Sequence, residues 1–232
     1  VLGTWQMQRL AEKEALIAAV DERLDADPLA LPPASEWDAL DAETLTYHPV
    51  SLSGAFRYNQ TVTVFTSLSN ARGPAAGPGY WVMTPFALTD GGTVFVNRGF
   101  VPQAFQEAAV TDAEAAEETV TVTGLFRLPE HAGAMTPSAD MSNRVEWVRD
   151  PQRLAAMIDP AMAPIAPFYV DLPAGAPGEL PQGGETVVEF PNNHLGYAMT
   201  WYGFAIVAVV MLGFWLWRQR QERKLAERGG ID

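Results

Sequence analysis

The 232 residues carry a formal net charge of −13 and contain no cysteine. The acidity argues against nucleic acid as a partner, and the missing thiols exclude disulfides, thiolate metal sites, cysteine nucleophiles and covalent c-type haem attachment. The last fifteen residues hold five basic and three acidic side chains, so residues 1–217 carry −15.

Taken in order, Leu2 to Leu24 reads as an amphipathic helix. Leu10, Ile17, Val20 and Leu24 recur at helical steps, with Arg9, Glu12, Lys13, Asp21 and Glu22 between them. Trp5 fits either a membrane interface, as the exit of a preceding membrane helix, or a core position. Pro28, Pro32 and Pro33 end this helix, and Ser35 to Asp38 starts one more helical turn.

From Tyr47 the period changes to two. Strands are expected at Val50–Leu52, Thr61–Thr66, Tyr80–Thr84 with Phe86–Leu88, Thr93–Asn97, Thr119–Leu128 and Phe168–Leu172. Gly54 and Gly124 suggest bends, and Pro85 suits an edge or a bulge. Asp90-Gly91-Gly92 marks a hairpin. Gln103 to Glu118 reads as a solvated insertion or short surface helix, Glu130 to Arg144 as loop, and the residues after Pro151 as a short helix. Pro173 to Gly184 reads as a linker before a last extended stretch, Glu185 to Phe190. Six or seven short strands without a disulfide predict a mainly β extracytoplasmic domain, a small antiparallel barrel-like sheet, with a sandwich as the alternative. An N-terminal amphipathic helix and a C-terminal transmembrane helix flank it.

Leu195 to Trp217 contains no Asp, Glu, Lys or Arg, long enough for a helix to cross the ~30 Å apolar layer of a bilayer. Tyr197, Trp201 and Tyr202 gather at one end and Trp215 and Trp217 at the other. Arg218, Arg220, Arg223 and Lys224 follow at once, which assigns the tail to the cytoplasm and residues 1–193 to the other side. The organisation expected is 1–33 helix and connector, 34–191 β domain, 192–217 membrane helix and 218–232 basic tail. A translocated domain in a chain that starts at Val1 without an export signal implies an upstream segment, for which a first membrane helix would serve.

On a helical projection Gly196, Thr200, Gly203 and Val207 form a small-residue seam suited to a partner helix. His194, Ala198, Trp201, Ala205 and Leu212 share the other side, an imidazole about two turns from an indole over a shallow apolar strip. That face suits a flat apolar ligand, or else His194 sits at head-group level and donates to a carbonyl or lipid phosphate. The other histidines, His48 and His131, are far off in sequence; no HExxH, phosphate loop or Gly-x-Ser-x-Gly elbow occurs, so an enzyme is not expected. Arg98 can take a carboxylate of a cofactor or partner in two-point fashion, or form an internal salt bridge. Asn97 and Gly99 read as shaping a turn.

Leu2-Gly3-Thr4-Trp5-Gln6 with Arg9, Pro49-Val50 with Gly54, and Thr84-Pro85-Phe86 occur in that order. Val96-Asn97-Arg98-Gly99-Phe100-Val101-Pro102 follows, then Asn192-Asn193-His194-Leu195 with Tyr197 and Thr200-Trp201-Tyr202-Gly203. Together they resemble the surfeit locus protein one family of cytochrome c oxidase assembly factors, over nearly the whole chain. The resemblance implies two membrane helices flanking an extracytoplasmic domain in a bacterial inner membrane, the domain periplasmic and the C-terminus cytoplasmic. It implies binding of haem a, or help with its insertion into the largest oxidase subunit, with that subunit, a haem a synthase and membrane lipid as partners. His194 becomes the candidate haem-iron ligand, Trp201 and Tyr197 the residues beside the ring, and Arg98 a candidate for a propionate. The competing expectation is a scaffold that docks oxidase subunits without cofactor. Two departures stand out: the first membrane helix lies outside this sequence, and Gln103 to Glu118 matches no family block.

Overall fold

A computed structural model describes residues 2–111, 118–186 and 193–229. The chain forms two compact units, residues 20–187 and residues 1–19 with 188–232. In chain order the elements are α1 (Leu2–Leu24), β1 (Leu29–Ala30), a 3-10 turn (Ala34–Ala39), α2 (Ala42–Leu45), β2 (Pro49–Phe56) and β3 (Val62–Leu68). Then come β4 (Gly77–Leu88), β5 (Thr93–Pro102), α3 (Gln106–Thr111), β6 (Val120–Arg127) and β7 (Val145–Glu146). The last are α4 (Pro151–Ala155), β8 (Ile165–Asp171) and α5 (His194–Gly229).

Five strands close a ring in the order β2, β6, β8, β5, β4 and back to β2, so the barrel, not the sandwich, is the architecture. Neighbours run antiparallel except β5 and β8, whose residues 95–97 pair in parallel with 169–171. The ring closes at Gly54, which faces Val120 of β6 on one side and Leu88 of β4 on the other. A Cβ at Gly54 would collide with the Ala87 carbonyl, so the expected bend is the corner where β2 changes partner. Outside the ring, β3 continues the sheet from the first half of β4, and β7 pairs in parallel with β3 at Thr63 and Val64.

Pro85 lies in the middle of β4, neither at an edge nor in a bulge. Its carbonyl accepts from the Arg57 N–H at 2.8 Å, which directs its main-chain polar groups away from β5. The missing N–H therefore falls where the neighbour changes from β3, last paired at Met83, to β2, first paired at Phe86. No ladder bond is lost.

Alternation along the strands makes two cores. One holds Val50, Leu52, Phe56, Phe86, Val94, Val96, Phe126, Phe168 and Val170, with Trp37 from the 3-10 turn set edge-on against Phe168 at 5.7 Å. The other holds Val62, Val64, Leu68, Trp81, Met83, Phe95, Phe100 and Tyr169, with Leu154, Met157 and Ile158 from α4 and the turn after it. Because β5 and β8 bury side chains on both faces, Thr93 to Val96 and Phe168 to Val170 are nearly continuous apolar runs. Asp150 accepts from the Gln152 N–H and Pro151 opens the helix, which fixes where α4 begins.

Two stretches differ from expectation. Residues 173–184 are not a free linker: Gln182 exchanges two main-chain hydrogen bonds with Phe100, both 2.8 Å, and is buried, as is Glu185 just after them. The two-residue strand β7 sits at the end of what reads as loop, too short to show periodicity. The expected last strand, Glu185 to Phe190, falls mostly on residues 187–192, outside the described residues, as do 112–117 of the acidic insertion.

In the other unit, α5 runs 36 residues, and Leu195–Arg220 is long and apolar enough to cross a membrane with none of its most apolar stretch buried in protein. That exposure separates it from a soluble core helix.

Candidate functional site

The Asn-Arg-Gly block lies within β5 and splits between three tasks. Asn97 donates from Nδ2 to Asp171 Oδ1 at 2.8 Å and accepts from the Gly99 N–H at 3.1 Å. Asp171 Oδ2 accepts from Arg127 Nη1 at 2.8 Å and Thr186 Oγ1 at 2.7 Å. A buried carboxylate costs several kcal/mol unless it is paired and hydrogen-bonded, and these donors supply that pairing.

Gly99 has φ of +130°, and a Cβ there would run into the Gln182 carbonyl and the Gly183 nitrogen. Only glycine lets residues 182–184 lie this close to β5. Gln182 then accepts from the Ala75 N–H at 2.8 Å and donates to the Ala75 carbonyl at 2.9 Å and Glu185 Oε1 at 2.7 Å. Glu185, 3% exposed, accepts from the Arg72 and Gly73 N–H groups, each at 2.8 Å. Asn97 and Gly99 thus build a clasp that holds the segment preceding the membrane helix, which goes beyond shaping a turn.

Arg98 takes the third task. Its guanidinium lies over the Tyr58 ring, 4.8 Å from the centroid, and borders a cleft of about 340 Å³ walled by Val101, Phe105, Ala108, Leu180 and Pro181. One cation at the rim of an apolar cleft suits a carboxylate carried by an apolar body.

Beyond the clasp lies a cluster that sequence reading did not assemble. Arg149 makes a two-point pair with Glu130 and lies 4.0 Å from Asp171, its guanidinium 5.1 Å from the Trp81 ring centroid and 5.4 Å from that of Tyr169. Burial would raise the Glu130 carboxyl, but the hydrogen bonds and charge of Arg149 outweigh it and hold Glu130 below its ordinary value. Burial pushes the Tyr169 phenol up despite the neighbouring Arg149, and its hydroxyl has no hydrogen-bond partner among the described residues. Glu146 is buried and paired to Arg153 at 2.7 Å. Each of these carboxylates is met by a guanidinium, and no nucleophile with an adjacent base is among them, so the cluster braces the barrel. The signal available in sequence was Asp171 itself, an acidic residue closing the apolar run Phe168-Tyr169-Val170.

At the membrane end, His194 is the first residue of α5, and its side chain lies outside the described residues. Gly3 of α1 is buried, and a Cβ on it would come within 2.9 Å of the Tyr202 ring; Ala198 is 1% exposed. The expected seam is not where this packing occurs: Cβ atoms at Gly196 and Gly203 would meet nothing within 4 Å, and Thr200 turns its hydroxyl back to the Gly196 carbonyl. The close approach is between Gly3 of α1 and the Tyr202 ring of α5. The strip expected beside His194 is therefore covered at Ala198, while Tyr197, Trp201 and Phe204 remain 59%, 41% and 62% exposed. At ~100° per residue these three lie within about a quarter turn of His194. Trp5 is exposed on α1, which sets aside the core position.

A family model described as the SURF1 family matches residues 1–206. A SURF1-like protein of Monosiga brevicollis is 33% identical over 232 residues, covering 95% of this chain and 83% of that one. Surfeit locus protein 1 of Homo sapiens is 32% identical over 217 residues, 88% of this chain and 69% of its own length. Surfeit locus protein 1 of Takifugu rubripes is 30% identical over 223 residues, 90% and 89% of the two chains. The matched stretches take in the clasp and the start of the membrane span.

Proposed function

We propose that this chain, which belongs to the SURF1 family, is a membrane-anchored assembly factor for a haem-a-containing cytochrome c oxidase that receives haem a and passes it toward the largest oxidase subunit. The observation that carries the reading is the open aromatic wall of α5: Tyr197, Trp201 and Phe204 stay exposed on the side of His194 that α1 leaves free. A haem is a flat apolar macrocycle, and exposed rings beneath an imidazole offer the stacking surface and the iron ligand that such a cargo needs. His194 would hold the iron as neutral imidazole, Trp201 and Tyr197 would bear on the ring, and Arg98 is a candidate for a propionate. The protein would hold and release this cargo and carry out no reaction of its own.

The charge rule sets the sides, with the basic tail in the cytoplasm and the barrel across the membrane. In a bacterial setting that is an inner membrane with a periplasmic barrel, and a haem a synthase is the natural donor. Purified full-length protein from cells making haem a should carry a haem spectrum that His194→Ala changes or abolishes. An unchanged spectrum in that variant would remove the ligand role.

A second reading has an observation of its own. The interior of the ring is filled by Leu52, Phe56, Phe86, Phe126 and Phe168, which leaves the barrel to act through its surface. A cofactor-free scaffold would co-purify with the largest oxidase subunit whether or not haem a is supplied. Loss of that co-purification in cells lacking haem a would sink it.

A further inference from the structure

The strand β3 is only partly paired along its outer side. The Thr63 N–H donates to the Arg144 carbonyl at 2.9 Å, so the odd residues of β3 turn their main-chain groups away from β4. The β7 pairing ends at Val64 with Glu146. Past it, the carbonyl of Phe65 and the N–H and carbonyl of Ser67 have no hydrogen-bond partner among the described residues. Along this open stretch runs a cleft of about 360 Å³ whose walls include Phe65, Trp81, Trp147, Glu130 and Arg149. Phe65 and Trp147 pack with ring centroids 5.1 Å apart, and Trp147 is held by a hydrogen bond from Nε1 to the Ser138 carbonyl at 3.3 Å. An unpaired strand edge beside an aromatic wall has what an added strand requires, main-chain groups to bond and a surface for alternate side chains.

We propose that this edge docks an extended segment of a partner polypeptide, which pairs with Phe65 and Ser67, sets an apolar side chain on Phe65 and Trp147, and presents a basic residue to Glu130. Two observations select that occupant. This chain already lays a strand of its own, β7, on the preceding residues of the same edge, so a guest would prolong an existing ladder. Charge complementarity is the second. Arg149 and Glu130 neutralise each other, but the Glu130 side chain is 40% exposed in a chain whose first 217 residues carry −15, so a basic side chain is the one this acidic surface favours. The inference concerns the barrel surface alone and does not rest on haem binding by α5.

The test uses the full chain in lipid nanodiscs with two pools of synthetic twelve-residue peptides, each alternating Val or Tyr with a charged residue, Lys in one pool and Glu in the other. The Lys pool should slow amide exchange at Ser67 by about tenfold and leave Thr66, already bonded into β4, unchanged. Ser67→Pro removes the outward N–H without touching a bond to β4 and should abolish the protection. Trp147→Ala should weaken binding by about fivefold while the far-ultraviolet circular dichroism and the amide protection of the β4–β5 ladder stay as they are; should Ser67→Pro unfold the barrel, this variant decides alone. The proposal is overturned if neither pool protects Ser67, if the Glu pool does so as well as the Lys pool, or if a folded Ser67→Pro binds equally. Protection that rises with protein concentration alone would make the occupant a second copy and overturn it as well.

Discussion

Two blocks of the chain, Asn97-Arg98-Gly99 and His194 with its aromatic neighbours, look equally functional in sequence and end in opposite surroundings. Asn97 and Gly99 are consumed by the fold, one on a buried carboxylate and the other in making room for the Gln182 backbone. Tyr197, Trp201 and Phe204 stay largely exposed, with Trp201 and Phe204 set edge-on to each other. A motif whose polar groups are all satisfied internally is accounted for by architecture, and one whose large rings stay open calls for something to cover them.

The contrast can be broken first at Asp171. Asp171→Ala leaves Arg127 and Asn97 without their acceptor and should cost the barrel about 3–5 kcal/mol, read as a fall in urea midpoint. A loss under 1 kcal/mol would mean that the network is ornamental. Next, Gly99→Ala meets both the positive φ and the Gln182 carbonyl. It should cost about 2–3 kcal/mol and open residues 173–186 to proteolysis, and persistent resistance there would argue against the clasp.

A smaller effect is expected from Glu130. Its folded-state carboxyl titrates below the ordinary 4.5, so the pairing with Arg149 contributes fully above about pH 4.5 and is lost as pH falls through the depressed value. Glu130→Gln should therefore cost about 1 kcal/mol or less at neutral pH, given the exposed carboxyl, and flatten the acid limb of the stability curve. An acid limb identical to that of the parent would assign the pH dependence elsewhere. Last, Trp201→Ala should leave barrel unfolding within about 0.5 kcal/mol while reducing haem uptake, since the ring is 41% exposed on α5 and exchanges at exposed positions change stability little. If barrel stability fell and uptake did not, the assignments of the two blocks would be reversed.

What sequence could reveal follows from how local each feature is. The alternating strands, the Asp90-Gly91-Gly92 turn and the charge-free span were legible because each is written in consecutive residues. Gly54 announced a bend, but its identity as the closing corner depends on Val120 and Leu88, distant in sequence. Pro85 misled because the edge rule assumes one neighbour along a strand's side, and β4 has two. Residues 173–184 passed for a linker because Pro and Gly composition looks alike in a loose tether and in a segment pressed against a sheet. On α5 the contact with α1 falls at Tyr202, where Gly3 leaves room for the ring, and the small-residue seam at Gly196 and Gly203 stays open.

The clasp also sets an order of events during synthesis. Glu185 closes on the Arg72 and Gly73 amides 113 and 112 residues behind it, and at about 5–20 residues per second the ribosome needs roughly 6 to 20 s to cover that interval. From the emergence of Phe100 until Gln182 is made, a shorter part of that interval, the Phe100 edge of a half-made barrel has no cover, and its capping arrives only just ahead of α5, the helix apolar enough to cross a bilayer. Completion of the barrel and emergence of α5 are thereby placed within moments of each other.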